Sequence, residues 1–451
     1  MLSYLPDRSL SPRDPPFIIH MKTIVHPTWS KNAVIYQINL RQFSIEGTLS
    51  AARKALSRIK QLGADILWLM PIHPIGIKNR KGTLGSPYSV RDYKDINPEF
   101  GTISDLMAFV NHAHTLGMKV ILDWVANHTS WDNILVSTHP EWYAHDRKGH
   151  FRPTPWWDWA DIIELDYSHS ELQDYMVNAM LFWVNETDID GFRCDVAGFV
   201  PNLFWQKARA KLEQIKPVFM LAEWESRDLY AHGFDATYAW SWVESVTRIA
   251  QQDGDVRLLH KYYSWNEKAY PRNAYRMTHV TNHDLNAWNG TSRARFGDAL
   301  EAIIVLSVIG EGLPMIYNGQ EAGDNKQLLF FDKDPILWTK HPIGALYQAL
   351  FALKHANIAL WNGEYGARMQ HVTNTMPLDV FSFVRQHKNH RIFAVFNFSA
   401  RHQQVNFTDD IFVGKYFEFR QERIISLDAD IEIRLAPWQY HVYHWEDPGA
   451  A

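Results

Sequence analysis

The chain has 451 residues, 46% hydrophobic and 21% charged, with a formal net charge of −5 and one cysteine, Cys194. That length predicts two or three domains, or one large α/β barrel with additions. The composition excludes a disordered chain, the lone cysteine excludes an internal disulfide, and the acidic balance argues against a nucleic-acid partner. No apolar run reaches the ~18 residues of a membrane span, so no membrane partner is expected. Met1–His20 mixes Asp7, Arg8, Arg13 and Asp14 with prolines and lacks the apolar stretch of a secretory signal. A cytoplasmic setting is therefore the expectation, although a chain already processed from a secreted precursor would look the same. Nothing in the residues signals an oligomeric state.

In chain order, the recurring unit is a short apolar run, a polar tail, then an amphipathic helix. Ala33–Leu40 reads as a strand and Thr48–Leu62 as its helix. Asp65–Ile72 is a second strand, Ser104–Leu116 a helix, and Lys119–Val125 a third strand. Helix Ser170–Asn185 leads to strand Ile189–Asp195; helix Pro201–Ile215 leads to strands Val218–Glu223 and Phe234–Tyr238. His279–His283 and Leu313–Tyr317 complete the series, separated by a helix near Gly297–Val308. Near-continuous apolar strands alternating with helices are the pattern of a covered parallel sheet. Eight strands fit a (β/α)8 barrel, although a doubly wound sheet would also accommodate them. The carboxylates favour the barrel: Asp123, Asp195, Glu223 and Asp284 each fall at the C-terminal end of a different strand, where βα loops converge on one mouth.

The expected organisation is an N-terminal extension over residues 1–30, a barrel over 31–127 and 169–350, an inserted subdomain over 128–168, and a C-terminal domain over 351–451. A loop as long as the insertion is usually functional. Its Trp156-Trp157-Asp158-Trp159 run, in a chain with 19 Trp and 19 Tyr, offers flat rings of the kind that stack on sugars, although any single Trp is more often buried for its area. Beyond Trp361 the pattern becomes short alternating strands (Val380–Arg385, His390–Asn397, Gln403–Phe407, Ile431–Leu435, Tyr440–His444), which predicts an antiparallel β-sandwich.

Arg193 and Asp195 are two apart on a strand and face the same way, so the cation lies beside the carboxylate and favours its ionised form, as a nucleophile requires. A structural ion pair would look the same in isolation. Glu223 ends an apolar strand beside Trp224; partial desolvation would raise its pKa and keep it protonated, as a general acid requires. Asp123 with Asn127-His128, and Thr281-Asn282-His283-Asp284, add two more polar strand ends. Four such ends together are hard to explain as helix caps.

These residues resemble the α-amylase superfamily, glycoside hydrolase family 13. The resemblance rests on Asp123-Trp-Val-Ala-Asn127-His128, Gly191-Phe-Arg193-Cys-Asp195, Glu223, Thr281-Asn-His283-Asp284 and Gly312-Leu-Pro-Met-Ile-Tyr317-Asn-Gly-Gln-Glu321. Gly85-Ser-Pro-Tyr88 through Asp92-Tyr93 and Asn97-Pro-Glu-Phe-Gly101 belong to the same ordered set, over roughly residues 30–325. The resemblance implies a retaining double displacement on α-glucosidic bonds of starch-type saccharides. Asp195 is then the nucleophile, Glu223 the acid/base and Asp284 a third catalytic carboxylate. Tyr88, Asp123, His128, Arg193, Trp224 and His283 are implied to bind substrate or orient these groups. It also implies a structural Ca²⁺, with Asn127 as a ligand and Asp158, Asp161 and Asp166 as candidate oxygen partners, and no organic cofactor. Two departures stand out: Gly198-Phe199 replaces a frequent Lys-His pair, and Ser89 stands where an Asp often follows the Tyr.

Three other readings compete. A metal-dependent barrel hydrolase would use some of the 22 His, but the only His-x-His, His112-Ala-His114, lies in an expected helix where such residues face apart. A catalytically silent carbohydrate-binding protein would be expected to lack one of the carboxylates. A transglycosylase or glucosyl isomerase shares the chemistry up to the glycosyl-enzyme.

Overall fold

The computed structural model describes residues 24–155, 157–421 and 423–445. Most of the expected N-terminal extension (residues 1–23) and Trp156 of the aromatic run lie outside the described residues. Eight parallel strands close into one barrel: β1 (Ile35–Ile38), β2 (Ile66–Leu69), β3 (Lys119–Trp124), β4 (Gly191–Cys194), β5 (Phe219–Ala222), β6 (Ala236–Tyr238), β7 (Tyr275–His279) and β8 (Leu313–Tyr317). Each strand is almost wholly buried, which is why the sequence shows apolar runs rather than alternation.

Inside the cylinder, side chains two apart stack in layers. Ile35, Ile66, Ile121, Phe219, Leu221 and Met277 form the apolar layers, and Gln37, Trp68 and Asp123 follow two residues further along β1, β2 and β3, joined by Arg193 of β4 and Tyr238 of β6. Register fixes one key pairing, because Asp123 on β3 lies directly opposite Arg193 on β4. The outer helices start and stop by local chemistry. Thr102 and Asp105 form a reciprocal capping box on Ile103–Thr115, and Thr48 caps the helical stretch that runs to Leu62.

The seventh strand differs from expectation. It is Tyr275–His279, not His279–His283, and Asn282 instead caps a helix over His283–Asn289. Asp284 therefore sits in the first turn of that helix rather than on a strand. An Asn followed by polar residues is a cap signal as much as a strand end.

The insertion contains an antiparallel pair, His128–Ser130 with Ile162–Glu164, and a short helix Ile134–Thr138. The C-terminal region is a six-stranded antiparallel sheet faced by a two-stranded one. Phe381, Phe383, Ala394 and Phe396 pack with the barrel core, while Val380, Val384, Phe393 and Val395 point the other way, into a second core under the small sheet. Arg385, in the same sheet, donates to the carbonyls of Ile309 and Gly310 at 3.0 and 2.7 Å and so caps the buried, largely apolar helix Leu300–Ile309. The expected domain boundary at 350 falls within a helix, Pro342–Ala356, whose Leu346, Leu350 and Phe351 are part of the barrel's core. Among the described residues, no helix is long and apolar enough to cross a membrane.

Candidate active site

Arg193 is the hub of the barrel mouth. Its Nη1 donates to Asp123 Oδ1 at 2.8 Å and to Asp195 Oδ1 at 2.9 Å. Its Nη2 lies 2.8 Å from Glu223 Oε1, an ion contact off the N–H axis, and its Nε donates to Tyr238 Oη at 3.2 Å. One guanidinium thus holds carboxylates from three strand ends. It is wholly buried, whereas Asp195 and Glu223 are 6% and 9% exposed and face the cleft.

A hydrogen-bonded chain crosses the barrel opposite Glu223. Gln37 Nε2 lies 2.7 Å from His283 Nδ1, and His283 Nε2 lies 2.7 Å from Tyr88 Oη and 3.1 Å from Asp284 Oδ2. Tyr88 Oη and Trp68 Nε1 each donate to Asp123 Oδ2 at 3.1 Å. Gln37 thus holds the Nδ1 side of the ring, which turns Nε2 toward both Tyr88 Oη and Asp284. The His283 and Tyr88 rings are stacked, with centroids 5.4 Å apart.

Burial dominates the electrostatics. It pushes Glu223 up to about 8, with Arg193 pulling down and the negative charge of Asp195 pushing further up. Burial also raises Asp195, against the pull of Arg193. The expectation that Arg193 alone would keep Asp195 low is therefore corrected: the cation moderates a desolvation that is larger. For Asp284, the His283 charge and hydrogen bond outweigh burial and hold the carboxyl below its ordinary value. His128 is driven down to about 4 by burial, so its Nε2, 4.0 Å from Asp195 Oδ2, makes a neutral polar contact.

The residue after Asp195 is strained. Val196 has φ 34° and ψ 48°, a left-handed conformation that a β-branched residue adopts at a cost. The turn aims its N–H at Glu223 Oε2, 2.8 Å away.

A cleft of about 470 Å³ opens above these groups, lined by Tyr88, His128, Asp195, Glu223, His283 and Asp284 among others. Asp123 and Arg193 are part of its support, not its wall: both lie inside the barrel, 1% and 0% exposed, where they orient the carboxylates and do not line the space for substrate. Trp224 packs on Phe199 and Trp240, with ring centroids 5.0 and 5.9 Å away, beside rather than within the cleft. Gly198 is what admits that ring, since a Cβ there would lie 2.2 Å from the Trp224 indole.

The four expected metal ligands do not form a shell. The Asn127 amide donates to Thr154 Oγ1 at 2.9 Å and lies 3.2 Å from His128 Nδ1. Asp161 faces Lys81 Nζ at 3.6 Å, and the same ammonium donates to the Asp158 carbonyl. Asp166 Oδ1 accepts the Ser168 N–H at 3.0 Å within its own turn. Among the described residues, no three His, Cys, Asp or Glu side chains gather as a cation site. A lysine supplies the positive charge between the loop after β2 and the insertion, so the donor set does not fit Ca²⁺.

Sequence reading missed Gln37, Tyr238, Val196, Lys81 and the wall formed by Trp288, Phe330 and Phe331. Gln37, a lone amide inside the apolar run IYQI, was a legible signal. Tyr238, on β6, and Val196, beside Asp195, act through Arg193 and Glu223 on other strands, and Lys81 and the aromatic wall depend on segments distant in sequence.

Comparison with known proteins agrees with this geometry. Residues 30–164 and 156–341 match the model of the alpha-amylase catalytic domain. The maltogenic alpha-amylase AmyB from Thermotoga neapolitana is 30% identical with a TM-score of 0.83, over 92% of this chain and 99% of that one. An alpha-amylase from Lactobacillus plantarum is likewise 30% identical with a TM-score of 0.83, over 93% and 100%. Alpha-amylase MalA of Haloarcula japonica is 25% identical over 419 residues, 86% of this chain, which spans 59% of MalA's length. With the matched segments covering the whole barrel and its mouth, the chain belongs to the alpha-amylase family of glycosidases.

Proposed function

We propose that the protein cleaves α-glucosidic bonds of starch-type oligo- or polysaccharides by double displacement with retained configuration, using Asp195, Glu223 and Asp284. The observation that carries this is the single Arg193 guanidinium bridging Asp195 and Glu223 at the floor of a sugar-sized cleft.

Asp195 Oδ1 is engaged by Arg193, which leaves Oδ2 for attack on the anomeric carbon. Glu223, held protonated by burial and by the Asp195 charge, gives its proton to the leaving oxygen. Once Asp195 becomes a neutral glycosyl ester, that charge is gone. The pKa of Glu223 then falls, and the same carboxylate accepts a proton from the incoming water. Asp284, ionised through His283, faces the positive charge that develops on the sugar ring.

Transfer to a second sugar is an alternative favoured by one observation. Phe199 and Trp157, 37% and 53% exposed, stand together near the Glu223 side as an apolar platform for an acceptor. The experiment is product analysis with maltotriose, isomaltose, trehalose and soluble starch, for wild type and Glu223→Ala. Equal, background-level release by both would refute the glycosidase reading, and products longer than the substrate would favour transfer.

A further inference from the structure

The loop that follows β8 closes one end of the cleft. Phe330 lies parallel to Tyr88, centroids 6.3 Å apart and 16° between planes, and packs on Trp288 and Phe331 at 5.2 and 5.1 Å. All four rings line the cavity, and Tyr88 and Phe330 lie against His283, with centroids 5.4 and 6.4 Å away, on the side of Asp284. In the reaction proposed above, that is the side of the sugar whose anomeric carbon is attacked, so the rings stand where the chain would continue toward its non-reducing end.

The wall is fastened to the barrel rim rather than resting on it. Gln42, wholly buried, donates to the Leu329 and Asp332 carbonyls at 2.5 and 2.8 Å and accepts the Asp334 N–H at 2.5 Å. Asn286, 7% exposed, donates to the Lys326 carbonyl and accepts the Leu328 N–H, both at 2.9 Å. Two buried amides thus satisfy five backbone groups of one loop, and opening it would leave those amides without partners. The loop after β2 closes the remaining gap. Leu84 N–H donates to the Phe331 carbonyl at 3.1 Å, and Thr83 N–H to Asp332 Oδ1 at 3.0 Å. Contact there is close enough that a Cβ on Gly82 would meet Phe331 Cβ at 2.4 Å.

We propose that this latched aromatic wall makes the donor side a dead end, so that the enzyme works from the non-reducing termini of short α-glucans rather than within chains. The proposal rests on the glycosidase reading and adds the substrate class. Phe330 and Phe331 are its specificity determinants, acting by excluding a chain that runs on.

The test compares 4-nitrophenyl maltoheptaoside with the same compound capped by a 4,6-O-ethylidene group at its non-reducing end. Cleavage of both is followed by chromatography of the products. Wild type is expected to act on the capped compound about 100-fold or more slowly in kcat/KM, and the Phe330→Ala/Phe331→Ala variant is expected to narrow that ratio. Similar rates on both compounds in wild type would overturn the wall while leaving the glycosidase reading intact; cleavage of neither would overturn that reading itself. An unchanged ratio in a variant that still melts cooperatively would remove the two rings from the role.

Discussion

Val196→Gly separates a strained backbone used for chemistry from an ordinary packing position. Val196 is half-buried and holds a left-handed conformation at φ 34°. For a β-branched residue such a conformation costs about 1–3 kcal/mol, which glycine removes. Against this, glycine loses about 0.5–1 kcal/mol in chain entropy. Half the burial of a Val side chain, about 1 kcal/mol, also disappears. The two sides nearly cancel, so the melting temperature should stay within about 3 °C of wild type.

Catalysis responds differently. The Val196 N–H donates to Glu223 Oε2 at 2.8 Å and pulls the pKa of that carboxyl down. A glycine that samples other conformations makes the bond only part of the time, so Glu223 rises further and is less well aimed. The alkaline limb of the kcat/KM profile on maltotriose should move up, and kcat should fall roughly tenfold, part of the contribution of a placed acid. Differential scanning calorimetry and the pH–rate profile read the two effects independently. A variant destabilised by more than about 2 kcal/mol with an unmoved alkaline limb would refute the reasoning.

Asp195→Asn should abolish turnover with its melting temperature preserved, since a neutral amide cannot form the glycosyl ester; near-normal turnover would remove Asp195 from the mechanism. Gly198→Ala should displace the Trp224 indole and cost about 1–3 kcal/mol by overpacking, checked by thermal melting, where an unshifted transition would count against the contact. Dialysis against EDTA should leave the melting temperature unchanged, because Lys81 already engages Asp161 and the Asp158 carbonyl; a loss restored by added Ca²⁺ would contradict that. Acid should unfold the protein through its buried histidines. Burial holds His73 and His128 at about 4 and His279 at about 3, below the ordinary 6.5. The unfolded chain therefore takes up protons first, and stability is full above about pH 6.5 and lost as pH falls toward 4, by about 3 kcal/mol per group. Urea melts at pH 7 and pH 5 would show it, and equal midpoints would argue against it.

The barrel was legible in the sequence because covered parallel strands must be apolar on both faces, and a run such as DILWLMPI satisfies little else. The carboxylates at strand ends were legible for a related reason: a charged group that terminates an apolar run has its position set by one strand's own periodicity. That logic fails once a position depends on two distant segments. The end of β7 was misplaced because Asn282 serves equally as strand terminus or helix cap, and only packing decides which. Asn127, Asp158, Asp161 and Asp166 looked like a cation shell because oxygen donors in one loop are alike on paper; the tertiary structure sends Lys81 among them and turns Asn127 toward Thr154. The dead-end wall is the clearest case. Phe330 and Phe331 carry no pattern of their own, and their place is set by Gln42 and Asn286, side chains far away in the chain that happen to face the same backbone. Local periodicity encodes which residues point inward, whereas the closure of a cylinder and its loops determines what they meet there.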